Sequence, residues 1–243
     1  MNPEYDLVNF SLRDMTECGH ALRKIGGNAK NMEDVANGVV RYMYDHLADS
    51  QTGKNACVLI RFFKTHRYGG LDDKLRRFAQ GMLQNPLLPE MKCLTLLATV
   101  GEKPEWCSKE HSYSHKAIPL PSEEAVKQIP MISNLIQQFG LDINTIVKPD
   151  SDLLLEINQK TYNVFHVPEA VGSLYIPAQK EFVIPYGVKS VLGFGGLLPA
   201  GDMFAVILFS KAPISREKTS FFKTLALSVK MAILPFEETV FTD

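Results

Sequence analysis

The apolar run at residues 203–209 constrains the fold of this chain more than any other feature of its sequence. The run is short, unbroken and bounded by turn-forming residues, which is typical of a strand buried on both faces. The preceding segment, residues 188–194, has apolar or small residues at the alternating positions Val188, Ser190, Leu192 and Phe194. A turn separates the two segments and contains Gly195, Gly196, Pro199 and Gly201. We therefore predict an antiparallel hairpin at the centre of a sheet.

The sequence that follows Pro213 has the pattern of a helix. Ser215 is in the position of an N-cap residue, and Glu217 places a negative charge in the first turn, where the helix dipole favours it. The pattern ends at Pro235. Before that, apolar residues recur at three- and four-residue spacing, at Phe221, Phe222, Leu225, Ala226, Val229, Ala232 and Ile233.

This C-terminal part of the chain resembles the C-terminal half of a GAF domain. The resemblance rests on Gly187-Val188-Lys189-Ser190, followed by the hairpin, the apolar strand and a helix with an alanine-rich core face. The second strand departs from the family, because Asp202-Met203-Phe204-Ala205-Val206 replaces the usual Gly-x-Leu. The resemblance implies an α+β fold with a central antiparallel sheet. The N- and C-terminal helices would cover one face, and a loop-rich ligand face would form the other.

The rest of the chain is consistent with one such domain. Helical patterns occupy residues 6–25 and 31–47, strand patterns occupy residues 57–63 and 93–100, and Pro130 divides residues 122–140 into two short helices. We predict an N-terminal helical segment at residues 1–30, a GAF-like domain at 31–236, and a tail or the start of a linker at 237–243.

Composition excludes several classes of function. With 243 residues, a net charge of −1 and a sequence pI near 6.6, the chain lacks the basic excess that nucleic-acid binding requires. No stretch approaches the ~18 consecutive apolar residues of a membrane span. The N-terminus lacks the pattern of a secretory signal. Four scattered cysteines, two of them in apolar strand patterns, indicate reduced thiols in a cytoplasmic protein.

An aromatic cluster precedes the predicted hairpin, in a stretch punctuated by proline and glycine. In GAF domains the equivalent connection walls a small-molecule pocket, so the resemblance implies a ligand site here. The alternative is that these rings only seal the core beneath a long loop. The candidate pocket residues are Phe165, His166, Tyr175, Phe182 and Tyr186.

The cysteines and histidines suggest two further chemistries. Cys107, His111 and His115 recur at four-residue steps, as zinc ligands on one helical face would, but a fourth ligand is not evident and we predict no metal site. One branch of the GAF family reduces free methionine sulfoxide with cysteine thiols. Cys57 and Cys93 lie in apolar strands, so among these thiols only Cys107 is expected to be accessible, and it lacks a near partner.

The resemblance predicts a sensory or regulatory domain without enzymatic activity. It would bind an unidentified small molecule and relay the signal to an output module such as a kinase or cyclase. The alternatives are a thiol-dependent reductase and a ligand-free dimerisation scaffold. A second apolar stripe on the last helix, Leu227, Met231 and Leu234, predicts a homodimer. The N-terminal helix of the same chain is the other candidate to cover that stripe.

Overall fold

The protein is built on one six-stranded sheet, and the computed structural model describes residues 5–112, 115–148 and 162–241. The strands of this sheet are β4 Cys57–Arg67, β5 Lys92–Gly101, β6 Ala117–Pro119, β7 Tyr162–Val167, β8 Ser190–Leu197 and β9 Met203–Ser210. A smaller sheet contains β1 Tyr5–Asp6, β2 Leu47–Asp49 and β3 Lys54–Asn55. The α-helices are α1 Leu12–Ile25, α2 Met32–His46, α3 Asp73–Gln80, α4 Glu123–Lys127, α5 Pro130–Gln138, α6 Ile143–Val147 and α7 Arg216–Ile233.

The strands of the larger sheet lie in the order β6-β5-β4-β9-β8-β7, and every neighbouring pair is antiparallel. β9 pairs with β4 on one side and β8 on the other. Every residue of β9 is buried, because both faces of the sheet are covered at this point. The predicted α+β class and the central hairpin are confirmed.

Three helices, α1, α2 and α7, cover one face of the sheet. Phe62 of β4 and Phe204 of β9 point to this face with their rings stacked, 6.2 Å apart at the centroids. Phe222 of α7 packs on Phe194 of β8, with 5.7 Å between centroids. Full burial of such a side chain contributes about 1.5–3 kcal/mol. The predicted layer of N- and C-terminal helices on one face is confirmed.

α1 and α7 approach each other closely because small residues lie between them. A Cβ atom on Gly26 would lie 2.7 Å from the carbonyl oxygen of Ala232, and one on Gly19 would lie 2.9 Å from the hydroxyl of Ser228. Arg23 Nη1 donates a hydrogen bond to the same hydroxyl over 2.9 Å. α1 therefore covers part of α7 within the chain.

The second apolar stripe of α7 is only partly covered. Leu227 is 43% exposed and Met231 is 54% exposed, whereas Leu234, in the 3₁₀ turn after the helix, is half-buried. The stretch Arg216–Phe236 has the length and composition of a membrane span, but half of it is buried inside the fold. α7 thus packs as a core helix that leaves one narrow apolar strip in contact with solvent.

The opposite face of the sheet is covered by α4, α5, α6 and the irregular connection at residues 168–189. Ser122 caps α4 by accepting from Ala125 N, and Pro130 occupies the first turn of α5, as predicted. The segment after α5 contains α6, and residues 149–161 lie outside the described residues.

The first helix begins later than its periodicity predicts. Residues 5–6 form β1, which pairs in parallel with β2 at Leu47 and Ala48. α1 begins after Ser11, whose side chain accepts from Asp14 N while the Asp14 carboxylate accepts from Ser11 N. This reciprocal capping box fixes the start of the helix.

The chain after α7 returns to the first helices. The carbonyls of Thr239 and Val240 accept hydrogen bonds from the backbone amides of Met32 and Glu33, at 2.9 and 3.1 Å. The Val240 side chain is buried in the same core as α2 and α7. The division into segments 1–30, 31–236 and 237–243 stays a prediction.

The turn between β8 and β9 also begins later than predicted, because Gly195 and Gly196 belong to β8 rather than to the turn. A Cβ atom on Gly195 would lie 2.0 Å from the Phe204 carbonyl oxygen, so a larger residue does not fit there. The turn consists of residues 198–202. It uses Gly201 at a φ of 79°, a left-handed conformation that glycine adopts without strain.

Asp202, the departure from the family pattern, closes this turn with a buried ionic cluster. Its carboxylate accepts from the ammonium groups of Lys64 and Lys92 and from the Thr65 hydroxyl. The Thr65 hydroxyl oxygen in turn accepts from Met203 N over 2.8 Å. The cluster ties the hairpin to β4 and β5 at one end of the sheet.

Candidate functional site

A cavity of about 370 Å³ lies between the sheet and the covering segments on the face opposite α1 and α7. Its floor is formed by side chains that alternate along the two central strands, Leu59, Arg61 and Phe63 from β4 and Ala205, Ile207 and Phe209 from β9. Because alternate residues of a strand share one face, the same pattern that buries β9 also builds this floor. The wall includes residues of α5 and the segment before it.

The roof of the cavity is the connection between β7 and β8. Ile176, Pro177, Ala178 and Phe182 line the cavity from this side, and residues Gln179–Val183 form one π-helical turn. The side chain of Gln179 organises the segment. Its amide nitrogen donates to the carbonyls of Ala170 and Ile176 at 2.8 and 2.7 Å, and its amide oxygen accepts from Gly172 N at 2.8 Å.

Aromatic rings close one side of the cavity. Trp106, which follows β5, lies edge-on to Phe182 at 5.6 Å and to Tyr186 at 4.8 Å between centroids. The Lys103 ammonium lies over the Trp106 and Tyr186 rings, at 5.5 and 4.9 Å from their centroids. Trp106 lines the cavity itself, and it is the single tryptophan of the chain.

Arg61 is the charged side chain on the floor. It lies at the centre of the sheet, where β4 pairs with Thr99 of β5 and Ile207 of β9. Its Nη2 lies 3.5 Å from the Ser112 hydroxyl, and its buried Nε has no hydrogen-bond partner among the described residues. Burial lowers the pKa of the guanidinium to about 10, which leaves it charged at neutral pH.

Among the residues that the structure describes, His115 and Glu181 are the other ionisable ones that line the cavity. His115 has a φ of 62°, a left-handed conformation that non-glycine residues seldom adopt. Desolvation, and then the positive charge of Arg61, lower the pKa of His115, although part of the residue is exposed to solvent. Glu181 is exposed on the roof, and no carboxylate among the described residues lies within ion-pairing distance of Arg61.

The structure distributes the five aromatic residues predicted for the pocket among different positions. Phe182 lines the cavity, and Tyr186 contacts Trp106 behind it. Phe165 is fully buried beside Gly193, and His166 Nε2 donates to the Ile214 carbonyl over 2.9 Å. Tyr175 is 45% exposed. A ligand-binding role for these five residues stays a prediction.

Sequence reasoning did not find Arg61 or Trp106 as members of a site, and it considered His115 only as a zinc ligand. One signal was present, since Arg61 is a charged residue inside the otherwise apolar run of β4. A charge at such a position needs either a partner or a functional reason. Trp106 and His115 both belong to the connection between β5 and β6, and no local pattern predicts the path of that connection beside the cavity.

The four cysteines do not form a reactive pair in the structure. Cys18, Cys57 and Cys93 are buried, and burial raises the pKa of each thiol to about 12. Cys107 is partly exposed, and its Sγ lies 3.2 Å from the Gly101 carbonyl oxygen. All four thiols are free.

Cys107, His111 and His115 do not converge. His115 lines the cavity, His111 is exposed, and Cys107 bonds to backbone carbonyls. Within residues 5–112, 115–148 and 162–241, no group of three or more His, Cys, Asp or Glu side chains is placed to hold a metal ion. The absence of a metal in the functioning protein stays a prediction.

Comparisons with known proteins show the fold. The free methionine-R-sulfoxide reductase of Neisseria meningitidis, solved in complex with its substrate, superposes with a TM-score of 0.51 at 9% identity, over 99% of this chain and all of that one. This similarity and the layered arrangement described above agree with the expected architecture. The chain has a GAF-like fold.

Two solved GAF domains superpose on this GAF-like chain with lower TM-scores than the reductase does. The domain from an Acinetobacter phosphoenolpyruvate-protein phosphotransferase aligns with 96% of the chain and all of its own length, at 13% identity and a TM-score of 0.44. The phycocyanobilin-bound domain of a cyanobacterial phytochrome aligns with 92% of the chain and 96% of its own length, at 9% identity and a TM-score of 0.43. No family model and no curated protein matches the sequence.

Proposed function

We propose that this GAF-like domain is a sensory module that binds a small organic molecule in the cavity under residues 176–182. The observation that supports the proposal is the cavity itself. Its volume of about 370 Å³ falls within the range of small-ligand sites, roughly 300–1,000 Å³, and its walls are mostly apolar with a few polar groups. The domain would act by binding rather than by turnover.

The two central strands offer a route for the signal. Ala205 and Ile207 of β9 face the cavity, whereas Phe204 and Val206 of the same strand pack under α1, α2 and α7. If β9 and the helices packed on it have two arrangements, a ligand that binds one of them more tightly would raise the population of that arrangement. The size of the shift is set by the difference between the ligand's affinities for the two arrangements. The receiver would be an output module, such as a kinase or cyclase, or a second copy of the chain.

Trp106 makes ligand binding measurable without a label. Because it is the single tryptophan and lines the cavity, a bound molecule is expected to change its fluorescence. Ala205→Phe adds a ring to the cavity floor and is expected to abolish that change, together with any extra mass seen in native mass spectrometry of the purified protein. Ala200→Phe, in the exposed turn after β8, is the matched control and should bind normally.

The proposal would be contradicted if wild-type protein and the Ala205→Phe variant gave the same fluorescence response. Both variants must first show wild-type helical circular dichroism, since overpacking of a buried site costs about 1–3 kcal/mol.

The reductase alternative is less well supported by the thiols. Cysteine chemistry requires an accessible thiolate and a resolving partner, whereas three of these cysteines are buried with raised pKa values. Thiol titration before and after incubation with free methionine sulfoxide tests it directly. Loss of two titratable thiols per chain would favour the reductase over the sensor.

A further inference from the structure

We propose that the ligand of this cavity is a small organic monoanion, whose carboxylate binds Arg61 and whose apolar body fills the remaining space. This inference rests on the proposed ligand-binding function and names the chemical class of the ligand. It is based on the Arg61 guanidinium at the cavity floor. Among the described residues, its Nε–H has no hydrogen-bond acceptor and its charge has no carboxylate partner.

The guanidinium has one edge available for a carboxylate. Nε is buried without a hydrogen-bond acceptor among the described residues, and Nη2 makes only a long contact of 3.5 Å with Ser112. Nε–H and Nη2–H lie side by side and point the same way, which is the geometry that binds the two oxygens of a carboxylate in parallel. A lysine at this position would present no such fork.

The charges around the cavity favour a ligand with a single negative charge. Arg61 carries the positive charge of the floor, and that charge contributes to lowering the pKa of His115 below its ordinary value. The acidic residue of the lining, Glu181, is exposed on the roof and is not ion-paired with Arg61 in the described structure. A single carboxylate would balance the site, whereas a dianion such as a phosphate monoester would leave excess negative charge in an apolar enclosure.

The remaining wall requires an apolar body. Leu59 and Phe63 flank Arg61 along β4, Ile207 and Phe209 lie beside them on β9, and Phe182 closes the roof. These surfaces offer contact without hydrogen bonds, so polar groups distant from the carboxylate would be desolvated without compensation. Aliphatic and aryl carboxylic acids fit this description, and sugars and nucleotides do not.

The test compares acids with alcohols of the same carbon skeleton. Protein refolded from denaturant, to remove any co-purified molecule, is titrated with hexanoate, octanoate, decanoate and 3-phenylpropanoate, and with the corresponding alcohols, while Trp106 fluorescence is followed. At least one acid is expected to bind ten- to hundredfold more tightly than its alcohol, the range for hydrogen bonds to a charged group. Equal affinity of acid and alcohol would overturn the proposal but would leave the ligand-binding cavity standing. If neither series binds, the proposed function fails as well.

Variants of Arg61 separate recognition from folding. Arg61→Met should remove the preference for the acid while the alcohol still binds, and Arg61→Lys should retain part of it. Because Arg61→Met deletes a buried charge that no carboxylate among the described residues pairs with, it should also raise the melting temperature of ligand-free protein by about 2–4 °C. Arg67→Met, at the exposed end of the same strand, is the control and should change neither property.

A structural role for Arg61 predicts the opposite stability result. If Arg61→Met lowers the melting temperature and binds acids as the wild type does, the guanidinium supports the fold and the proposal is wrong. A decyl phosphate that binds more tightly than decanoate would likewise overturn the assignment of a monoanion.

Discussion

At Asp202, one carboxylate meets two buried ammonium groups, those of Lys64 and Lys92. Burial alone would raise the pKa of Asp202, but the charges of the two lysines outweigh it, and the pKa is lower than normal. An unfolded aspartate has a pKa of about 3.9. Its contribution to stability is therefore fully present above that pH and is lost as the pH falls through the lower, folded value.

Asp202→Asn should leave both lysines without a counter-charge and reduce the free energy of unfolding by about 3–5 kcal/mol at pH 7. Urea denaturation of both proteins between pH 7 and pH 3 measures the effect. The difference between them should shrink as the pH falls below about 3.9, because the unfolded carboxyl then binds a proton while the folded one, with its lower pKa, is still ionised. Asp73→Asn, at an exposed pair with Arg76, should cost at most about 1 kcal/mol. A difference that does not change with pH would rule out the ionic explanation.

At the scale of elements, the roof of the cavity depends on Gln179. Replacing Gln179 with alanine removes the hydrogen bonds to Ala170, Gly172 and Ile176. Backbone amides of residues 170–184 should then exchange with deuterium about tenfold faster, while the sheet exchanges as before. Gln84→Ala, on an exposed loop, should leave the exchange pattern unchanged. Uniformly faster exchange over the whole chain would instead show that Gln179 stabilises the entire fold.

Local signals predicted the elements better than they predicted the site. The unbroken run of β9, the spacing in α7 and the position of Pro130 each act within a few residues, so the sequence alone identifies them. The start of α1 was missed because residues 5–6 pair with β2, a contact between distant segments. Arg61 of β4 shares the cavity with Trp106 and His115 only because the connection between β5 and β6 runs beside it, and no local periodicity in the sequence predicts that path.

At the scale of the whole molecule, the exposed strip of α7 is the place where a partner would bind. Its exposed residues are Leu227 and Met231, and we propose that two copies of the chain associate through it. Changing both residues to glutamate should convert a dimer into a folded monomer, as measured by light scattering with matched circular dichroism. Lys223→Glu, an exposed change on the same helix, is the charge control. A monomeric wild-type protein would disprove the dimer.

The central position of β9 also determines when the molecule can fold. Lys64 and Asp202, which join β4 to the hairpin, are 138 residues apart in the sequence. During synthesis the ribosome releases β4 and β5 well before β9. The edge of β4 that pairs with β9 in the folded protein is therefore unpaired while the intervening chain is made. Pairing over such separations makes folding slow, since loop-closure entropy is lost before the contacts form. The nascent chain therefore carries an open apolar strand edge from the release of β4 until β9 has been made.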